Sequence, residues 1–364
     1  MNINDYLIWR GDLPFSLYEF NEVDSLILSR FSYLPFDKIT ISDGDKLSEI
    51  SSKMSTLKDD YYKIIDDKEL IVNLGNSIRY KDLTVSDLIL NKSIEAEKQF
   101  GAITIHLDDF IYVSYIGTDN SIVGWKEDFN MSFMKNVPAQ IEGVKYLNNI
   151  ASKYSDKIWI GGHSKGGNVA IYSALYCDKK IIDRIIKVDN FDGPGFEKSV
   201  IANGNKVLAK VNTYIPQGSV IGRLLEHDEK VYVVNSHNKG ILQHDIYSWE
   251  IIKDKFVLEN KITGSSEIVN LTIRQWLTNT TPQNRKLFVD AVFELLYSSN
   301  SESFRELSKT WTKDIPEMVE AYSEISKEDK KNIIKMLKEF GKAFSSAFKE
   351  ESKYKWEEIL KRNN

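Results

Sequence analysis

The stretch that decides the fold is Trp159-Ile160-Gly161-Gly162-His163-Ser164-Lys165-Gly166-Gly167-Asn168-Val169-Ala170, in which Gly162 to Gly166 spells G-x-S-x-G. The residues before it, Lys157 to Ile160, predict a short apolar strand, and those after it, Asn168 to Tyr176, predict a helix. A serine at the apex of a strand–turn–helix is presented as a nucleophile. The turn is so tight that neighbouring side chains collide, and glycines two before and two after Ser164 relieve the crowding. The hydroxyl then stands at the C-terminal edge of a sheet. The N–H groups at the start of the next helix point at the same spot and favour negative charge there. A phosphate-binding or merely tight turn is the alternative; the flanking strand and helix favour the nucleophile. His163 fits the common G-H-S-x-G form. Lys165 either biases the site toward anionic ligands or is a solvated side chain whose backbone N–H is the part that matters.

The whole chain has room for one large domain and an extension. It holds 364 residues, 42% of them hydrophobic and 28% charged, which is a globular composition. A net charge of −5 with mixed signs gives no electrostatic case for nucleic-acid binding. The single cysteine, Cys177, excludes an internal disulfide and reads as a buried thiol on the helix after the elbow. No Cys/His spacing resembles a zinc site, and the chemistry of a serine nucleophile needs neither metal nor cofactor. The first residues lack a basic segment followed by an apolar run, so no secretory signal is expected. No apolar run approaches the ~20 residues of a membrane span. A cytoplasmic protein is the resulting expectation.

Outward from the elbow, Ala102–Leu107 and Phe110–Tyr115 alternate like two strands joined by a hairpin at Asp108-Asp109. Ile141, Val144, Leu147, Ile150 and Ala151 mark a helix face. Ile185–Phe191 predicts a strand ending in the loop Asp192-Gly193-Pro194-Gly195, and Lys206–Tyr214 and Lys230–Asn235 predict two more. Strands alternating with helices imply a largely parallel sheet covered on both faces. Before it, Asn21 and Asp24 resemble a helix start, and Lys58–Asn91 reads as two or three short helices. After it, Thr281-Pro282 opens a helix with Leu287, Val289, Ala291, Val292, Leu295 and Leu296 inside. Ser326 and Asp329 resemble a capping box before Ile333, Ile334, Leu337, Phe340 and Phe344. These tail helices have the character to touch a membrane surface or a partner; packing on the core is the commoner use of such helices.

A serine hydroxyl needs a base, an acid to orient the base, and donors for an oxyanion. With this elbow the chain order is serine, acid, histidine. Of the histidines after Ser164, His244 in Gln243-His244-Asp245 is the favoured base, with His237 in reserve. His227 and His237 read as surface loop residues, and His106 falls on the wrong side of the order. Asp192, at the end of the strand after the elbow, is the favoured acid; Asp228 and Glu226 are reserves, and Asp189 belongs inside the strand. The competing reading of Asp192 is an Asx turn on the Gly-Pro loop. Lys165 N–H and Thr118 are the oxyanion donors, Thr118 by its N–H and its hydroxyl.

These motifs resemble the class 3 lipases, an α/β-hydrolase family. Tyr115-Ile116-Gly117-Thr118 is similar to its F-R-G-T segment, Trp125-Lys126-Glu127-Asp128-Phe129 to its D-W-x-x-D-L segment, and Gly162–Gly167 to its elbow. A closer resemblance is to an uncharacterised bacterial lipase-like family of unknown function. It is carried by Asp5–Asp12, Gly161–Asn168, Phe191–Phe196, and Gln243-His244-Asp245 with Trp249. Two positions depart from class 3. Pro216–Gly222, where that family's acid would fall, has no carboxylate, and Ile116 stands in place of arginine. Asp192 matches instead the L-D-P-A-G-P segment of pancreatic-type lipases, whose acid follows the strand after the elbow.

The resemblance implies an α/β-hydrolase domain over residues 1–258, with a helical N-terminal segment and a mostly parallel sheet, and a helical extension over 259–364. It implies a serine hydrolase of carboxylic esters, lipids or acylglycerols among them, acting through Ser164, His244 and Asp192. The alternative is a non-catalytic lipase-like protein that binds a partner or ligand through the tail. Amide or thioester hydrolysis by the same serine is a third reading, and oligomeric state is not readable from this sequence.

Overall fold

Side chains that alternate along each strand divide between two cores, one on either face of a sheet. The computed structural model describes residues 1–119, 121–201, 205–259, 262 and 264–299, and within the tail 320, 323, 326–328, 330–336, 338, 339, 341 and 342. By contact the chain forms two compact units. The first is Met1–Asn91, Phe100–Gly117 and Ala139–Ile262; the second is Lys92–Gln99, Thr118–Pro138 and Thr263–Asn364.

Helices α1 (Ile3–Arg10), α2 (Glu22–Phe31), α3 (Leu47–Met54) and α4 (Asp66–Asn76) come first. Asn21 and Asp24 make the capping box that starts α2: each side chain accepts the other's backbone N–H. The sheet has seven strands in sequential spatial order. They are β1 (Thr84–Ser93), β2 (Lys98–His106), β3 (Phe110–Tyr115), β4 (Lys157–His163), β5 (Ile185–Phe191), β6 (Val211–Pro216) and β7 (Lys230–Val234). β2 and β3 run antiparallel, while β3 to β7 are parallel throughout. Between β3 and β4 lie α5 (Ile122–Asn130) and α6 (Pro138–Lys153). Next come α7 (Lys165–Tyr176), α8 (Lys179–Ile182), α9 (Lys198–Ile201) and α10 (Asn205–Leu208) among the later strands. A small hairpin, β8 (Ile251–Ile252) with β9 (Lys255–Phe256), follows the sheet.

Tyr112, Trp159, Phe191 and Tyr214 face one side and pack with Ile3, Leu26, Phe31, Leu70 and Leu74 of the N-terminal helices. Ile111, Val113, Ile160, Val188 and Val211 face the other and pack with Leu147, Ile150, Val169 and Ile171 of α6 and α7. Each such side chain contributes roughly 1.5–3 kcal/mol when fully buried, so both faces hold the parallel strands in place. Burial also pushes the Cys177 thiol up to about 11, in line with a buried, unreactive sulfur.

Three elements differ from the sequence reading. Thr84–Ser93 is an edge strand rather than a helix, because much of it is exposed and charged residues on an edge mask the strand pattern. The strand expected from Lys206 begins at Val211. Val207 and Leu208 reach the core from the helical turn α10 instead. On α6 the buried face is rotated: Ile141 is 42% exposed, Ala139 is buried, and Gly143 brings the helix close to Val169 and Ser173 of α7.

In the second unit, α11 (Gly264–Asn279) precedes α12 (Pro282–Tyr297), and Thr281 caps α12 by accepting the Asn284 N–H. Ile122 of α5 packs on Val289 and Phe293. Leu287, expected inside, is exposed, and Phe293 is buried in that core. Asp329, Leu337, Phe340, Phe344 and the run 349–364 lie outside the described residues. Among the described residues no helix is long and apolar enough to cross a membrane.

Candidate active site

β4 ends at His163 and α7 begins at Lys165, so Ser164 alone makes the turn. Its φ of 57° and ψ of −133° fall where a non-glycine residue is strained, at a cost of about 1–3 kcal/mol. The surroundings enforce that conformation. Ser164 N–H donates to Phe191 O at 2.8 Å, and Gly167 N–H donates to Ser164 O at 2.9 Å. A Cβ on Gly162 would lie 2.3 Å from the Gly166 carbonyl carbon, and one on Gly166 would lie 2.2 Å from Tyr115 O. Ser164 stays partly exposed. Lys165 is 2% exposed, so its reading as a solvated side chain fails. Its N–H lies at the N-terminal end of α7, where the helix favours negative charge.

Asp192 follows β5 directly and takes a φ of 52°. Its carboxylate is buried and meets three partners. Oδ2 lies 2.6 Å from His244 Nδ1, and Oδ1 accepts from Ser219 Oγ at 2.5 Å and Gly222 N–H at 3.1 Å. The side chain that closes this loop is Asn190, whose Oδ1 accepts the Gly193 N–H at 2.9 Å. His244 ends a short 3-10 turn, Gly240–His244, and its side chain is 27% exposed. With Nδ1–H donated to the carboxylate, a neutral His244 keeps its lone pair on Nε2.

His163 links this histidine to the elbow. Its Nε2–H donates to His244 O at 3.0 Å, and the two ring centroids lie 4.5 Å apart with the planes tilted by 33°. Burial pushes the His163 imidazole well below its usual range, and the charges of His244, Arg30 and Lys63 add to the effect. Tyr33 O–H donates to His163 O at 2.8 Å. The sequence reading did not single out Tyr33, because nothing in its own segment points to a partner so distant in the chain. It also missed Ser219 and Gly222: in Pro216–Gly222 it looked for a carboxylate, whereas the segment provides donors.

The other candidates sit elsewhere. His227, read as a surface residue, is instead inside the loop it belongs to, 2.6 Å from Glu229 Oε1. His237 is exposed and lies 3.2 Å from Glu250. His106 bonds to Ser86 on β1. Asp228 is exposed, Asp189 lies within β5, and Glu226 pairs with Phe196 through its backbone. Ile116 is buried, and a Cβ on Gly101 would meet its side chain. Thr118 belongs to the second unit, where its hydroxyl donates to Asp128 Oδ2 at 2.5 Å. That proton is committed, against the expectation that the hydroxyl serves an oxyanion.

Residues 74–294, more than half of the chain, match the family model described as Mbeg1-like. The chain belongs to the Mbeg1-like family. This is a lipase-like family, and the match is to it and not to class 3 in particular. The span matched to the Mbeg1-like model includes Thr118, Ser164, Asp192 and His244. No curated protein sequence matches the chain. Among solved structures, it is similar to the Rhizomucor miehei lipase propeptide complex at 17% identity and a TM-score of 0.33. That similarity covers 42% of this chain and 57% of that one, so the chain spans little more than half of it. It is also similar to Lip2 lipase from Yarrowia lipolytica, with 12% identity, a TM-score of 0.33, and 60% and 80% coverage respectively.

Proposed function

We propose that this protein is a serine hydrolase that cleaves carboxylic esters on an α/β-hydrolase core. Ser164 Oγ attacks the ester carbonyl while His244 Nε2 takes its proton. The bond from acyl carbon to the leaving oxygen then breaks, and His244 returns the proton to the departing alcohol. Water repeats the sequence on the acyl-enzyme and restores Ser164. Asp192 fixes the tautomer of His244 and stabilises the imidazolium. The N–H of Lys165, at the start of α7, holds the oxyanion and contributes about 3 kcal/mol to the transition state.

The observation that carries this reading is the 2.6 Å contact between His244 Nδ1 and the buried Asp192 carboxylate. It gains support from the tilted ring contact of His244 with the residue just before a strained serine. Membership of a lipase-like family favours lipid or small acyl esters as substrates. A bacterial, cytoplasmic setting is part of the proposal. So is the division into a hydrolase domain over 1–258 and a helical extension over 259–364.

The test is turnover of p-nitrophenyl esters with acyl chains of increasing length. Wild type hydrolyses at least one of them and Ser164→Ala none. Matched amides and thioesters identify the scissile bond. No turnover of any of the three by a folded wild type overturns the proposal and favours the binding-protein alternative.

A further inference from the structure

The segment after β6 acts on the acid without supplying one. Oδ1 of Asp192 receives Ser219 Oγ and Gly222 N–H, and Ser219 Oγ accepts the same Gly222 N–H at 3.0 Å. Gly222 is gripped at its other end too: its carbonyl oxygen lies 2.7 Å from His227 Nε2. The second ring nitrogen, Nδ1, lies 2.6 Å from Glu229 Oε1, which also accepts the Thr213 hydroxyl at 2.5 Å. Both ring nitrogens face oxygen atoms, so the ring is held at both ends. Burial opposes ionisation of Glu229, yet the hydrogen bond and charge of His227, with Thr213, hold its carboxyl below the usual range. Thr213 stands on β6 and receives Asn190 Nδ2–H from β5, which ties the pair to the sheet. The side chains of His227 and Glu229 are 11% and 1% exposed, so water competes little for these bonds.

We propose that His227, braced by Glu229, is a positioning residue for the triad acid: it fixes Gly222, and Gly222 with Ser219 sets the Asp192 carboxylate so that its other oxygen meets His244. The proposal rests on the serine-hydrolase reading above. It explains how Asp192 serves at the end of β5 while the segment after β6 has no carboxylate. The donors of that segment neutralise one carboxylate oxygen and leave the other aimed at the base.

The experiment compares His227→Ala, His227→Gln and His227→Asn, alone and with Asp192→Asn, on p-nitrophenyl butyrate. Removing the grip lowers kcat about tenfold in His227→Ala, the size of one lost charge-assisted hydrogen bond, with little change in KM. His227→Gln reaches Gly222 O and recovers most of the rate; His227→Asn reaches only Glu229 and does not. In the Asp192→Asn background the His227→Ala effect disappears, because both act on one group. A second readout is independent of turnover: the downfield proton resonance shared by His244 and Asp192 shifts in His227→Ala and returns in His227→Gln. Equal kcat in the Gln and Asn variants, or an unchanged resonance in His227→Ala, overturns the proposal. Should His227→Ala not fold, the Gln–Asn comparison decides by kcat and by the resonance. A wild type that turns over no ester but shows the His227-dependent resonance refutes the hydrolase reading and leaves the positioning role standing.

Discussion

The carboxylate at position 192 and the imidazole at position 163 are both buried, and their neighbours differ in what they supply. Asp192 is buried, and both of its oxygens have hydrogen-bond partners in Ser219, Gly222 and His244. Asp192→Asn keeps the shape and replaces the acceptor with an amide that favours the wrong tautomer of His244. We expect kcat for ester hydrolysis to drop about 10³–10⁴-fold with the fold intact by circular dichroism; a drop below tenfold would contradict the assigned role. His163 is buried and stays neutral, and among the described residues its Nδ1 has no hydrogen-bond partner that would satisfy an added proton. The unfolded chain binds that proton near the ordinary value of 6.5, and the folded chain does so only at much lower pH. Stability is therefore full above that value and declines as pH falls below it, by at most about 1.4 kcal/mol per pH unit. Urea midpoints between pH 7.5 and 5 should show this slope reduced in His163→Gln. An identical slope in the variant would refute the claim.

Buried charge also joins elements. Arg30 of α2 meets Asp67 of α4 through Nε and one terminal nitrogen, at 2.6 and 2.8 Å, and Tyr247 O–H donates to the same carboxylate. Removing one partner leaves an uncompensated buried charge, so Asp67→Ala should cost about 3–5 kcal/mol in chemical denaturation; a loss under 1 kcal/mol would show that the pair is dispensable. Thr281 is a smaller case. Its hydroxyl accepts the Asn284 N–H, and Thr281→Ala should destabilise α12 by about 1 kcal/mol, read from local hydrogen exchange. Elements whose signals are local were legible in the sequence. The α2 capping box, the Thr281-Pro282 start, the β2–β3 hairpin and strand β5 all depend on residues a few positions apart. β1 was not legible, because an edge strand carries charges that blur its period. The start of β6 was not, because an apolar pair on a helical turn looks like a strand.

At the scale of the whole molecule, a parallel sheet covered on both faces follows from strands alternating with helices, and both cores bear that out. The candidate site was legible only in part. The elbow is a contiguous motif, so its strand, turn and helix can be read from neighbouring residues. Ser219, Gly222, Tyr33 and the inward turn of His227 reach the site through folding alone, and no spacing rule anticipates them. The central claim concerns a single oxygen. Incubating the folded protein with a fluorophosphonate, then measuring intact mass and mapping the modified peptide, interrogates it directly. The account predicts one adduct, on the peptide carrying Ser164, absent from Ser164→Ala and strongly slowed in His244→Ala. A folded wild type that takes up no label, or carries it on another residue, would contradict the account.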